Sequence, residues 1–169
     1  GTSEIAKNIK INIEKFEDFK NFILDKKIDL IIVGPEKPLV EGIVNYLERF
    51  NIKVFGPSKE ASQLEGSKIF TKKLCEDYNI PTAKFGVFVS KNDAKKFLAS
   101  SNFPIVIKAD NLASGKGVYI CNNYSESEIA VNEIFDGKFG KAKNVLIEEF
   151  LEGEEMSYFI ISDGKTIKN

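Results

Sequence analysis

The chain has 169 residues, 43% of them hydrophobic, which is enough to bury one or two small cores. Its 24 Lys+Arg against 25 Asp+Glu leave a net charge of -1, and that balance gives no reason to expect nucleic acid or an anionic membrane as a partner. There is no histidine, which removes Ser-His-Asp and Cys-His catalysis, the histidine-dependent zinc sites and imidazole acid–base work.

No apolar run approaches transmembrane length, and the opening GTSEIAKNIK is not expected to be a signal peptide. The two cysteines, Cys75 and Cys121, form no close pair, so reduced thiols and a cytoplasmic location are expected.

In chain order, Phe16, Phe19, Ile23 and Leu24 form a helical stripe between Ile13 and Lys26. Asp29 to Val33 is a continuous apolar run, the mark of a strand covered on both faces. Gly34-Pro35-Glu36 turns the chain, Pro38 suits a helix start, and Leu39 to Phe50 is expected to be that helix. Ile52 to Phe55 is a second short strand. This order argues for a parallel, doubly wound sheet, in which ligands bind at the carboxyl ends of strands, where Gly34 to Leu39 lie. A plain αβ connection is the other reading of that turn.

Ser67 is a plausible N-cap for a helix running to about Asp77. A lysine at its start, Lys68, sits at the positive end of the helix dipole, which makes more sense beside a bound anion, with a solvated lysine on an exposed turn the plainer alternative. Lys84 to Val89 is expected as a strand, Asn92 to Ser100 as a helix capped by Ser90, and Pro104 to Lys108 as a buried strand. Val118 to Cys121 resumes as a strand. Ser125 to Phe135 reads as a helix capped by Ser125, with Glu128 in capping-box register. Pro81 to Leu151 is thus expected to be a small α+β unit with an antiparallel sheet and two helices. Val145 to Ile147 begins a strand that runs into Glu148 and Glu149, turns at Glu152-Gly153 and resumes as Met156 to Ile161.

The hairpin around Lys108 is either a phosphate-binding loop or a surface hairpin with an incidental lysine. Its loop, Asp110 to Gly117, holds Gly115, Gly117 and Lys116, suited to a polyphosphate through backbone N–H groups and ammonium charge. It is not a P-loop, because Asp110 and Gly117 stand where Gly and Ser or Thr are needed. It is not a dinucleotide fingerprint either, because Ile120 replaces the third glycine. Downstream, the strand-to-turn segment at Glu149 to Leu151 exposes backbone groups able to read an adenine edge, and a carboxylate a few residues on can hold ribose hydroxyls. A solvated acidic hairpin is the plainer alternative.

Together, GSK at 66–68, IVIKA at 105–109, LASGKGV at 112–118 and IEEFLEGEE at 147–155 resemble an ATP-grasp ligase. Within that superfamily, DLIIVGPEKPLVEGI, VFGPSKEASQLEGSK and IVIKADNLASGKGV are similar to the phosphoribosylamine–glycine ligases, over nearly the whole chain. The resemblance implies an α/β architecture. Residues 1–65 would be the remainder of an N-terminal doubly wound parallel-sheet domain. Residues 66–80 would be a helix of the larger ATP-grasp subdomain, 81–151 the lid, and 152–169 the start of the rest.

It implies a reaction in which ATP, with Mg2+ or Mn2+, phosphorylates the glycine carboxylate and the amine of 5-phosphoribosylamine attacks the acyl phosphate. Phosphoryl transfer of this kind needs charge neutralisation, not a histidine. By position Lys68 and Lys108 would contact the ATP phosphates. Ser114, Gly115, Lys116, Gly117 and Val118 would close over them. Glu148, Glu149, Phe150 and Leu151 would form the adenine connector, with backbone groups of Glu149 and Leu151 facing the base, and Glu155 would hold the ribose. Gly34, Glu36, Pro38 and Leu39 would lie near phosphoribosylamine.

Where the family usually reads GLAAGKG this chain has Asn111 and Ser114, both tolerable in a tight loop. The family also begins before Gly1 and continues beyond Asn169 with the metal-binding carboxylate and Asn and most glycine-binding residues. A fragment, inactive alone, is therefore the expectation, with a monomer the simplest oligomeric state and no metal ligand within it. Another ATP-grasp carboxylate–amine ligase or carboxylase, and a non-catalytic nucleotide-binding module, remain alternatives.

Overall fold

A computed structural model describes residues 1–110, 117–140 and 144–168. After a 3-10 turn at Thr2–Glu4, the first part of the chain comprises helix α1 (Phe16–Asp25), strand β1 (Ile31–Ile32), helices α2 (Glu36–Glu41) and α3 (Ile43–Glu48), strand β2 (Val54–Phe55) and the short helix α4 (Gln63–Gly66). β1 and β2 pair in parallel, Ile31 opposite Val54 and Ile32 opposite Phe55. This is the parallel β-α-β pairing expected from the β-turn-α-β order.

Ile23, Ile31, Ile43, Val44, Leu47 and Ile52 form one core, with Phe16 and Phe19 packed against it. Leu24, the fourth residue of the expected stripe, is 54% exposed instead. The run Asp29 to Val33 is covered on one face only among the described residues. Ile31 is buried, but alternation turns Leu30 and Ile32 to a face where Ile32 is 71% exposed. There they line a groove of about 620 Å³ with Phe55 and Ile161.

The single helix expected over Leu39 to Phe50 is two. Helix α2 starts three residues earlier, with Pro38 in its first turn, where a missing N–H costs nothing. It ends at Gly42, whose φ of 96° closes α2 through bonds to the Pro38 and Leu39 carbonyls before α3 begins.

Helix α5 (Lys68–Asp77) leads into the second unit: β3 (Phe85–Phe88), α6 (Lys91–Ala99), β4 (Ile105–Ala109), β5 (Val118–Cys121), α7 (Tyr124–Phe135) and β6 (Val145–Glu149). The caps at Ser67 and Ser90 form as expected, accepting from Phe70 and Asp93 amides. The α7 cap is Asn123, not Ser125. Its side chain accepts from the Glu126 amide, and the Glu126 carboxylate accepts from the Asn122 amide and the Asn123 side chain, so the cap lies two residues earlier than expected.

The strands form an antiparallel sheet in the order β3-β6-β4-β5. Ile105, Ile107 and Ala109 of β4, with Val145 and Ile147 of β6, pack under Ala94 and Leu98 of α6 and Ala130, Val131 and Ile134 of α7. Strand alternation turns Val106 and Lys108, and Leu146 and Glu148, to the opposite face. Beyond β6, Met156 to Ile160 form no regular strand. Instead β7 (Ile161–Ser162) pairs with β8 (Ile167–Lys168) in a short hairpin.

Two glycines explain much of the segment VFGPSKEASQLEGSK. A Cβ on Gly56 would lie 2.9 Å from Leu39 Cδ2, and one on Gly66 would lie 2.8 Å from Val40 Cγ2. Helix α2 lies that closely on both. Gly66→Ala is therefore expected to destabilise the fold by about 1–3 kcal/mol through overpacking. A urea unfolding midpoint unchanged from wild type would refute this.

Candidate functional site

Lys108 ends β4 on the face that α6 and α7 leave open. In the register, Val106 stands opposite Glu148 and Lys108 opposite Leu146, so Lys108 and Glu148 are diagonal neighbours on one face. Their side chains form an ion pair. The Glu148 side chain is only 3% exposed, and its other oxygen lies 2.6 Å from the Lys72 ammonium. That second contact is at ion-pair distance but not aligned as a hydrogen bond. Lys72, 12% exposed, aims its hydrogen bonds elsewhere, donating to Thr82 Oγ1 at 2.7 Å and to the Ala83 carbonyl at 3.2 Å. One buried carboxylate thus sits between two ammonium groups, a pairing that a buried charge requires.

Helix α5 is tied to the end of β4 by a second carboxylate–donor cluster. Ser67 Oγ donates to Asp110 at 3.0 Å and the Ile69 amide donates to Asp110 at 3.1 Å. The Asp110 carboxylate thus sits at the start of α5. A carboxylate at a helix N-terminus satisfies open N–H groups and the dipole together. Lys68, half-buried, lies between the two residues that hold Asp110, and Asp110 follows Lys108 by two positions.

The remaining expected residues fall into groups. Gly117, buried, accepts at its carbonyl from the Ala109 amide at 2.8 Å, and Val118 begins β5 opposite Lys108 with 41% exposure. Ser114, Gly115 and Lys116 lie outside the described residues. The Glu149 amide donates to the Lys84 carbonyl, and the Glu149 carboxylate accepts from the Lys84 amide at 2.9 Å. These bonds lock the end of β6 to the start of β3. A cleft of about 440 Å³ opens beside them between the sheet and the end of α6, lined by Phe97, Ser100, Ser101, Ile105, Ile147 and Glu149 among others. Phe150 is half-buried, and Leu151 and Glu155 are exposed beyond the strand.

Gly34 lies two residues past the end of β1, Glu36 opens α2, Pro38 is buried and Leu39 is half-buried against Gly56. A line of contacts therefore runs from α2 through Gly66 to the start of α5, on to Asp110, and so to Lys108 and Glu148.

Three contacts of this cluster escaped the sequence reading: those of Lys72, Asp110 and the Glu148 side chain. Lys72 follows Lys68 by one helical turn, a spacing that places both on one side of α5. That was a legible signal. The pairing of Glu148 with two lysines depends on strand register and was not.

Comparison with known proteins fits this geometry. Residues 1–65 match the phosphoribosylglycinamide synthetase N domain, and residues 66–169 match the phosphoribosylglycinamide synthetase ATP-grasp (A) domain. A phosphoribosylamine–glycine ligase of Mesorhizobium japonicum is 48% identical over 98% of this chain and 39% of its own length. The crystal structure of the phosphoribosylamine–glycine ligase of Thermotoga maritima superposes with a TM-score of 0.79 at 30% identity, covering 98% of this chain and 39% of that one. A D-alanine–D-alanine ligase from Helicobacter pylori superposes with a TM-score of 0.55 at 32% identity, covering 68% of this chain and 34% of that one.

The chain thus spans about two fifths of the length of the ligases it matches. The α/β and ATP-grasp architecture implied by the sequence resemblance is borne out. The chain belongs to the phosphoribosylglycinamide synthetase family.

Proposed function

We propose that the chain is the nucleotide-gripping part of an ATP-dependent ligase that joins glycine to 5-phosphoribosylamine, giving glycinamide ribonucleotide, ADP and phosphate. The observation that carries the reading is the placement of Lys108 on the sheet face free of α6 and α7. There it stands beside the Asp110 anchor that draws in the start of α5 and Lys68. Two ammonium groups brought to a transferring phosphoryl group would neutralise its charge, which is the main demand of acyl-phosphate formation.

Lys68 and Lys108 bind the phosphates. Ser114, Gly115, Lys116, Gly117 and Val118 close over them. The Glu149 amide is committed to Lys84, so the Glu149 carbonyl and the Leu151 amide are the groups assigned to adenine, along the connector Glu148 to Leu151. Glu155 holds the ribose. Gly34, Glu36, Pro38 and Leu39, at the carboxyl end of β1, face phosphoribosylamine. Residues 1–65, 66–80, 81–151 and 152–169 then serve as N-terminal domain, helix of the larger subdomain, lid, and start of the remaining ATP-grasp domain. The lid keeps water from the acyl phosphate.

ATP-grasp ligases use ATP with Mg2+ or Mn2+, which offsets phosphate charge. Among the described residues there is no cluster of three or more His, Cys, Asp or Glu side chains that could hold a metal ion. No helix among them is long and apolar enough to cross a membrane. The cytoplasm is proposed as the location from the family's metabolic role.

Phosphate release by the full-length gene product tests the reading. Release from ATP is expected only with glycine and phosphoribosylamine together. Equal turnover with bicarbonate or D-alanine in place of glycine, or none with glycine, would overturn it.

A further inference from the structure

Lys72 is not among the residues assigned to the nucleotide, yet it holds the most buried carboxylate of the site. We infer that Lys72 is a positioning residue that releases Lys108 to the phosphates. This rests on the ATP-binding reading above.

Glu148 is 3% exposed and pairs with both Lys108 and Lys72. If Lys108 is to turn to a phosphate, Glu148 loses one of its two cations. A buried carboxylate without a cation is strongly disfavoured, so Glu148 competes with phosphate for Lys108. Lys72 removes that competition. Its ammonium lies 2.6 Å from Glu148 and is anchored independently by Thr82 Oγ1 and the Ala83 carbonyl. It therefore stays in place when Lys108 moves. With Lys72 the local charge of the three groups is +1, and after Lys108 turns away Glu148 remains neutralised. Without Lys72, Glu148 holds Lys108, and its own negative charge faces the phosphates.

The effect is confined to ligands that carry phosphate, because adenine is read by backbone groups. That separates a positioning role from general loosening of the fold.

The test measures binding of ADP and of adenosine to the full-length gene product by calorimetry. K72M is expected to weaken ADP by about tenfold or more while adenosine changes less than about twofold. K72R, which keeps the charge, is expected to retain ADP binding. E148Q removes the competing charge, so K72M/E148Q is expected to bind ADP within about threefold of E148Q alone. This last comparison does not require K72M to fold, because the double variant buries no unpaired carboxylate. An ADP-to-adenosine ratio unchanged in K72M, or a K72M/E148Q variant far weaker than E148Q, overturns the role of Lys72 and leaves the ATP reading intact. A wild-type protein that binds neither ADP nor adenosine overturns both.

Discussion

Lys108→Ala is expected to weaken ADP and ATP binding by about 10- to 200-fold while leaving the fold close to wild type. The loss follows from removing a charge-assisted hydrogen bond to phosphate, worth about 1.5–3 kcal/mol. The fold survives because Glu148, buried at the same face, keeps Lys72 at 2.6 Å. Calorimetry with ADP reads the first effect and urea unfolding the second. Equal ADP affinity in wild type and variant would remove Lys108 from the phosphate site. A large drop in unfolding midpoint would instead make it a structural ion-pair partner of Glu148.

The largest stability effect is expected one residue earlier. Ile107 is fully buried at the middle of β4, between Tyr119 of β5 and Ile147 of β6, under the α6–α7 layer. Ile107→Ala is expected to cost about 3–5 kcal/mol, the lost transfer free energy plus the cavity. Ile120→Ala on β5 is the matched control. Ile120 is 58% exposed on the opposite face, so truncation there is expected to cost under about 1 kcal/mol. Comparable losses at the two positions in urea titrations would contradict the assignment of the sheet's faces.

Element types were largely legible from periodicity and turn residues. β5 was placed residue for residue, and the caps at Ser67 and Ser90 were found because Ser before an amphipathic run has one good use. Gly42 escaped because Leu39 to Phe50 keeps its apolar spacing across the break, and only the left-handed φ reveals two helices. Asn123 escaped because Ser125 and Glu128 mimic the same signature two residues on.

The site divides similarly. Lys68 and Lys108 stood out because a cation at a helix start or at a strand end invites an anion. Their shared anchor, Asp110, stood out less, since it looked like the first residue of a polar loop. Glu148 read as part of an acidic turn. Its burial is a property of the sheet, visible only once β3 and β4 flank β6 on both sides.

Alternation in β4 also has a consequence for how the chain finds its fold. Sliding this strand by a single position against β6 would drive the Lys108 ammonium into the oily layer beneath α6 and α7 and push Ile107 out to solvent. Such misalignment carries the penalty of dehydrating an unpaired cation. A residue assigned to gripping phosphate therefore also discriminates the correct alignment of the sheet from its nearest wrong one.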